Sequence, residues 1–267
     1  MRIRHRLFAA IMLCLPLSSV QAHHFWLQPS ATVLSKAAYI TVDAAVSNDL
    51  FYFNHVPLRL GENFAVTAPD GQTIQPENLS QGKLRTVFDL NLTQTGTYRL
   101  AMVNQGVRAS WKEGTETRRF RGSAALFAKE VPADAEALQV SENATRLETF
   151  VTVGKPSPLP PSGKGLELIT VTHPNDLYAG ESATFALHLD GQPASQVNIT
   201  IIRGGTRYRN HLDEIKLTTN QQGQFTVTWP QAGMYWLEAE AQDAKTTLKQ
   251  ASVRNLSYVT TLEVLPQ

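Results

Sequence analysis

Short runs in which apolar and polar residues alternate recur along most of the chain and constrain its fold class. Residues 39–42, 86–90 and 225–229 all follow this period of two, which places successive side chains on opposite faces of a β-strand. Turn sequences such as Asp70-Gly71 separate these runs. The sequence therefore predicts an all-β protein, in which only residues 133–140 have a pattern that favours a short helix.

A segment rich in proline and glycine divides the chain into two parts of comparable length. Residues 154–165 contain four prolines and three glycines, a composition typical of a linker. A Gln-x-Gly-x-Tyr pattern recurs in the two parts as Gln94, Gly96 and Tyr98 and as Gln231, Gly233 and Tyr235. In immunoglobulin-like sandwiches such a tyrosine bonds back to the nearby backbone. We therefore expect two tandem immunoglobulin-like β-sandwich domains, over residues 23–153 and 166–267, with convergent turn patterning as the alternative explanation.

The first 22 residues have the pattern of a secretory signal peptide. Three arginines fall within the first six residues, an apolar run covers residues 7–17, and Val20-Gln21-Ala22 precedes the expected cleavage site. The run is shorter than the roughly 20 residues that a transmembrane helix needs. We expect a soluble periplasmic protein that does not insert into the membrane after cleavage. Cleavage would also remove Cys14, the only cysteine, so thiolate metal sites and disulfides are not expected.

Charge and motif content exclude several classes of function. The chain has 24 basic and 23 acidic residues, and loss of the signal would leave 21 basic ones. This balance does not provide the excess of Lys and Arg that nucleic-acid binding requires. The sequence contains neither a Gly-x-Ser-x-Gly nor a His-Glu-x-x-His motif. We therefore expect a protein that is not an enzyme and does not bind nucleic acid.

The sequence that would follow cleavage suggests a metal site. A mature chain starting at His23 would present an α-amino group and an imidazole from one residue, which together can chelate a divalent ion. His24 adds a third nitrogen, but it can share an ion with His23 only where the terminus is not regular strand. Nitrogen ligands favour nickel, cobalt or copper over calcium or magnesium. An exposed terminus that binds nothing is the alternative.

Two further histidines are candidate ligands. His55 follows the aromatic sequence Phe51-Tyr52-Phe53-Asn54, close to Asp49, and an aromatic lining could orient an imidazole. A packed surface histidine is the other interpretation of His55. His173 precedes Pro174 where the second part begins, and it could face the junction between the two parts. The predicted metal ligands are therefore His23, His24, His55 and His173.

Two arginine-rich stretches could bind an anion, such as a carboxylate chelator of a metal, through guanidinium groups. Residues 108–121 are expected to form a hairpin that turns at Glu113-Gly114, and residues 203–209 contain a Gly-Gly loop with three arginines. A solvated charged surface is the alternative for both stretches.

Four sequences give the chain a resemblance to a known family. They are the start Ala22-His23-His24-Phe25-Trp26-Leu27, the segment His173-Pro174-Asn175-Asp176, the turn Gln222-Gly223-Gln224-Phe225 and the strand Leu256-Ser257-Tyr258. The chain resembles NikM-like bacterial periplasmic proteins, a family of unknown function that is often labelled a nickel or cobalt uptake component. In that family the residue after the first histidine is commonly acidic, and His24 departs from this pattern.

The resemblance implies a periplasmic protein that binds a divalent transition metal or its chelate and serves a metal uptake system. Nickel and cobalt are the expected ions, with copper or iron as alternatives. Another class of function is a structural or interaction module that contacts a membrane transporter and binds no metal. A remote alternative is a copper monooxygenase, which also binds its metal through an N-terminal histidine.

Overall fold

The structure, a computed structural model, describes residues 23–267. The predicted signal peptide over residues 1–22, with Cys14, lies outside the described residues. Within the described part of the chain, no helix is long and apolar enough to cross a membrane.

Strands make up most of the described chain. The first ten are β1 (His24–Pro29), β2 (Val33–Leu34), β3 (Ala38–Ser47), β4 (Val56–Pro57), β5 (Phe64–Thr67), β6 (Thr73–Ile74), β7 (Glu77–Gln81), β8 (Thr86–Leu92), β9 (Gly96–Glu113) and β10 (Glu116–Gly122). After the helix α1 (Ala124–Glu130) come β11 (Glu136–Val153), β12 (Leu166–Thr170), β13 (Ser182–Leu189), β14 (Gln192–Pro193), β15 (Asn198–Arg203), a 3₁₀ turn (Thr206–Tyr208), β16 (Ile215–Thr218), β17 (Gln224–Thr228), β18 (Gly233–Asp243) and β19 (Val253–Val264).

The strands form three sheets, and the largest lies between the other two. Ten strands build the central sheet, whose main path is β16-β15-β18-β19-β11-β9-β5-β6. A five-stranded sheet, β1-β3-β8-β7 with β4, supplies the first core together with one face of the central sheet. A four-stranded sheet, β12-β13-β14 with β17, packs on the opposite face and forms the second core. The prediction of an all-β fold of packed sheets is confirmed.

Where both outer sheets cover the central sheet, its strands carry consecutive apolar residues. Both of its faces are therefore buried there. On β18, Trp236 belongs to the first core and Leu237 to the second. On β19, Val259 belongs to the first core and Tyr258 to the second. This follows from the alternation of side chains across a strand. The two cores thus share one sheet.

The segment over residues 154–165 contains no strand, as expected for a linker. It is nevertheless bonded to the sheet, since the Ser157 hydroxyl accepts from the Thr97 amide at 2.8 Å and the Pro160 carbonyl accepts from Arg99 at 2.9 Å. Strands from both sides of the segment pair in the central sheet, β11 with β19 in parallel. The division into two separate domains, 23–153 and 166–267, remains a prediction.

The repeated Gln-x-Gly-x-Tyr pattern forms the same local structure twice. Tyr98 donates its hydroxyl to the Gln94 carbonyl at 3.2 Å, and Tyr235 donates to the Gln231 carbonyl at 2.7 Å. Both tyrosines are fully buried. The bond from each hydroxyl back to the backbone, which the sequence predicts, is confirmed at both positions and is typical of immunoglobulin-like sandwiches.

The predicted helix is wrong in position. The described helix is α1, whose first turn is capped by the Ser123 hydroxyl accepting from the Leu126 amide at 3.2 Å. Residues 133–140 instead lead into β11, where Gln139 and Val140 pair with β9. Pairing with a long neighbouring strand outweighs the weak local helix propensity of this segment.

Candidate functional site

Strand β1 and the loop between β3 and β4 bring three of the four predicted ligands together. We call residues 48–55 the aromatic loop, and His23, His24 and His55 the histidine cluster. Strand β1 pairs with β3, so that His24 lies opposite Ser47, the residue that precedes the aromatic loop. His23 lies just before the first residue of β1, so strand alternation does not force its side chain away from His24.

The rings of His23 and His55 lie in direct contact. Their centroids are 3.8 Å apart and their planes differ by 33°. Nδ1 of His23 lies 2.7 Å from Oδ1 of Asn48, so Nδ1 donates to this oxygen and Nε2 keeps its lone pair. His23 and His55 are both exposed, which leaves them open to an ion from solvent.

The His24 ring is half-buried and packs edge-on against Trp236, with centroids 4.7 Å apart and an interplanar angle of 89°. Its Nδ1 atom is buried and has no hydrogen-bond partner among the described residues. A buried nitrogen without a partner costs about 1–3 kcal/mol. This atom is therefore a candidate for contact with a ligand, which can reach it only if the ring moves, because Nδ1 is shielded from solvent.

Burial lowers the pKa of His24 below its ordinary value of 6.5. A hydrogen bond between the ring and the Asn48 backbone raises the pKa, as do the negative charges of Asp49 and Glu214, and the nearby His23 again lowers it. Because burial dominates, His24 is neutral at pH 7. A neutral imidazole is the form that binds metals.

Tryptophan side chains hold β1 in place on both sides of the cluster. Trp26 is fully buried, and its ring centroid lies 5.4 Å from that of Phe51 and 5.3 Å from that of Phe53. Its Nε1–H donates to the Ser47 hydroxyl at 2.9 Å. Trp236, on β18, donates to the Phe25 carbonyl at 3.2 Å. Strands far apart in sequence therefore fix the start of the described chain, as its bulky apolar sequence suggests.

The aromatic loop is closed by its own polar side chains. Side-chain Oδ1 of Asn54 accepts from the backbone N–H of Asn48 at 3.0 Å, and Nδ2 of Asn54 donates to the Asp49 carboxylate at 2.7 Å. Phe51 adopts a positive φ of 59° at the tip. These contacts position His55 beside His23.

The Gly-Gly loop over residues 203–209 supports the aromatic loop. A Cβ on Gly204 would lie 2.8 Å from Cδ2 of Phe51, so only glycine allows this approach. The Arg207 guanidinium lies 4.1 Å from the Tyr52 ring centroid. The Arg209 guanidinium donates to the carbonyls of residues 203, 204 and 212 at 2.8–3.2 Å. These contacts stabilise the loop, and the anion site and the solvated charged surface both remain predictions for this stretch.

His173 lies apart from the cluster. Its Nδ1 accepts from the Asn175 amide at 3.1 Å, so Nε2 carries the proton and donates to the Thr97 hydroxyl at 3.0 Å. Burial lowers its pKa, while Asp176 and the Ser157 backbone raise it. Both ring nitrogens are hydrogen-bonded. His173 thus connects Thr97, which lies before the linker segment, to the chain that follows it.

Residues 23–267 contain no group of three or more His, Cys, Asp or Glu side chains arranged to hold a metal ion. The rings of His23 and His55 are in direct contact, while the His24 ring packs against Trp236 beside them. An α-amino group at residue 23 would supplement these nitrogens. Sequence reasoning missed Asn48, Trp236 and Glu214, which surround the cluster. Asn48 directly follows β3, but nothing in the sequence relates Trp236 to residue 24.

Comparison with known proteins identifies the family. A family model described as a domain of unknown function, DUF4198, matches residues 20–243. The chain belongs to the DUF4198 family. No curated protein matches this DUF4198 chain. The family description assigns no function, so the metal connection expected from the resemblance remains a proposal.

Solved structures resemble this DUF4198 protein only distantly. The D0-D1 domain of Intimin is 10% identical over 90% of this chain and 97% of its own, with a TM-score of 0.23. A DUF4785 family protein from Legionella pneumophila is 8% identical over 79% of this chain and 50% of its own, with a TM-score of 0.23. Escherichia coli alpha-2-macroglobulin activated by porcine elastase is 12% identical over 92% of this chain and 20% of its own, with a TM-score of 0.23.

Proposed function

We propose that this protein is a periplasmic carrier of a divalent transition-metal ion, which it binds through the histidine cluster and passes to an uptake system. The observation that carries the proposal is the buried Nδ1 of His24, which has no partner among the described residues. Folded proteins rarely leave such atoms unpaired. A bound cation would supply the missing partner.

A mature amino terminus at His23 would complete the site. The amino nitrogen and Nδ1 of the same residue can close one compact chelate ring with the ion, whereas Nε2 points away from the amino group. In the described structure Nδ1 bonds to Asn48. Chelation therefore requires that the Asn48 side chain release Nδ1, and His55 is then close enough to add a further nitrogen.

The surroundings favour a cation held by nitrogen ligands. The carboxylates of Asp49 and Glu214 are close enough to act on the His24 ring, although they do not contact it. Neutral imidazoles suit nickel, cobalt and copper, while hard oxygen-binding ions prefer carboxylates. Since burial keeps His24 neutral, its nitrogen need not lose a proton before it binds. We propose nickel or cobalt as the principal ions.

Calorimetric titration of Ni(II), Co(II) and Cu(II) into the mature protein tests this function. We expect binding to wild type and a loss of at least about tenfold in affinity for His55→Ala, within the range that metal-site substitutions cause. The matched control is His188→Ala, because His188 lies on β13 in the four-stranded sheet. No heat of binding for any of the three ions would contradict the proposal.

A sheet edge supports the second candidate function, contact with a membrane transporter. Strand β7 ends the five-stranded sheet, and all five of its residues are exposed. Such an edge offers unpaired backbone groups to another strand. The two functions differ in one measurable respect, because an interaction module of this kind binds no metal.

A further inference from the structure

One face of the central sheet is uncovered at the end formed by the β9–β10 hairpin. On the opposite face, Phe120 packs against Phe127 of α1, with ring centroids 5.8 Å apart. The neighbouring residues of β10, Arg119 and Arg121, lie on the uncovered face because successive side chains alternate. With Arg108 of β9 they line an open cleft of about 690 Å³, which we call the arginine cleft.

The register of the hairpin places like charges next to each other. Arg121 pairs directly with Arg108, and Arg119 pairs with Ser110. Side chains at paired positions start about 5 Å apart, and like charges there destabilise a sheet. Arg119 lies two residues, about 7 Å, further along the same face. The fold thus places three arginine side chains at neighbouring positions on one face, at a cost in stability.

Several other arginines of the central sheet have carboxylate partners. Arg146 contacts Glu148 at 3.1 Å, Arg254 contacts Asp190 at 2.7 Å, and Arg118, on the other face of the same hairpin, contacts Glu113 and Glu116. Among residues 23–267, no carboxylate lies within 4.0 Å of the cleft arginines, and no acidic residue lines the cleft.

Neutral polar groups complete the lining of the arginine cleft. The side chains of Gln139, Ser141 and Asn255 contribute amide and hydroxyl groups. The Ser141 oxygen accepts from Asn143 at 3.1 Å and keeps its own O–H to donate. The cleft therefore combines three arginine guanidinium groups with amide and hydroxyl donors, which suit hydroxyl and carboxylate oxygens.

We propose that the arginine cleft binds a small organic polycarboxylate that carries a hydroxyl group. Its volume lies in the range of small-molecule sites. Guanidinium groups bind carboxylates through paired hydrogen bonds. The three arginine side chains start about 5 to 7 Å apart along and across the strands, which suits several carboxylates on one short carbon chain better than one compact anion. This site shares no residue with the histidine cluster and does not depend on metal binding.

Calorimetric titration of the metal-free mature protein at low salt and pH 7 tests the proposal, with citrate as the probe. Inorganic phosphate and acetate distinguish a polycarboxylate site from a general anion site. We expect citrate to bind more tightly than phosphate or acetate, and Arg121→Gln to weaken citrate binding by about tenfold or more. Arg118→Gln, a change of the same charge on the other face of the hairpin, should leave citrate binding unchanged.

A stability measurement guards against misfolding of the variant. Without citrate, Arg121→Gln should melt at or slightly above the wild-type temperature, because it removes a repulsion between paired arginines. Citrate should raise the melting temperature of wild type but not that of Arg121→Gln. Phosphate that binds as tightly as citrate, an Arg118→Gln effect as large as that of Arg121→Gln, or an absence of citrate binding would each overturn the proposal.

Discussion

Substitution of His24 by phenylalanine should stabilise the metal-free protein while removing metal binding. Phenylalanine keeps the edge-on aromatic contact with Trp236, which now has ring centroids 4.7 Å apart. It removes the buried Nδ1 that has no partner. The same atom thus lowers the stability of the metal-free protein and provides a metal ligand. The substitution should therefore raise stability and lower metal affinity.

The expected gain is modest. An unpaired buried nitrogen costs about 1–3 kcal/mol, and the low end applies because the His24 ring is only half-buried. Phenylalanine is slightly larger, but the exposed side of the ring leaves room for it. We expect the free energy of unfolding to rise by about 1 kcal/mol, or the melting temperature by about 2–4 °C for a protein of this size.

Urea unfolding at pH 7.5 with a chelator present measures this effect, and Ni(II) titration measures the loss of binding. The pH dependence gives a second readout. Burial lowers the pKa of His24 below 6.5, so the unfolded chain binds more protons and wild type loses stability as the pH falls below about 6.5. His24→Phe should reduce this loss, while His173, whose pKa burial also lowers, contributes the same dependence in both proteins. Destabilisation of metal-free His24→Phe by 1 kcal/mol or more would refute the reasoning.

Three further substitutions have definite expected outcomes. Asn48→Ala removes the 2.7 Å bond to Nδ1 of His23, so calorimetry should give about fivefold tighter Ni(II) binding, since a typical hydrogen bond contributes about 1 kcal/mol; weaker binding would show that Asn48 orients the ring instead. Gly204→Ala should lower the free energy of unfolding by about 1–3 kcal/mol through overpacking and weaken Ni(II) binding, whereas Gly82→Ala, whose Cβ would meet its nearest neighbour at 3.4 Å, should change neither. Tyr235→Phe removes a 2.7 Å hydroxyl bond to backbone and should cost about 1 kcal/mol in urea unfolding; unchanged stability would show that this bond adds nothing.

The features that the sequence predicts correctly depend on neighbouring residues. The alternation of apolar and polar residues predicts strands such as β8 and β17, because in each of them one face is buried and the other is more exposed. The tyrosine bonds are predictable because each joins residues only four positions apart, as in the bond from Tyr98 to Gln94. The closeness of His55 to His23 depends instead on the pairing of β1 with β3, which the sequence alone does not fix.

The features that the sequence does not predict depend on long-range contacts. The central sheet joins β11 to β19, whose paired residues Asn143 and Asn255 are 112 positions apart. The packing of Trp236 against His24 likewise depends on how β18 crosses β1. His173 stays a predicted ligand, and the sequence does not reveal that its ring bonds to Thr97, 76 positions away.

The central claim, that residue 23 binds metal through its own amino group and imidazole, is tested most directly by moving the amino group alone. Two mature proteins, one starting at His23 and one with a single added glycine before it, are titrated with Ni(II) side by side. We expect the added glycine to weaken Ni(II) binding by at least about tenfold, because the second nitrogen of a chelate binds at high effective concentration. Equal affinities for the two proteins would contradict it.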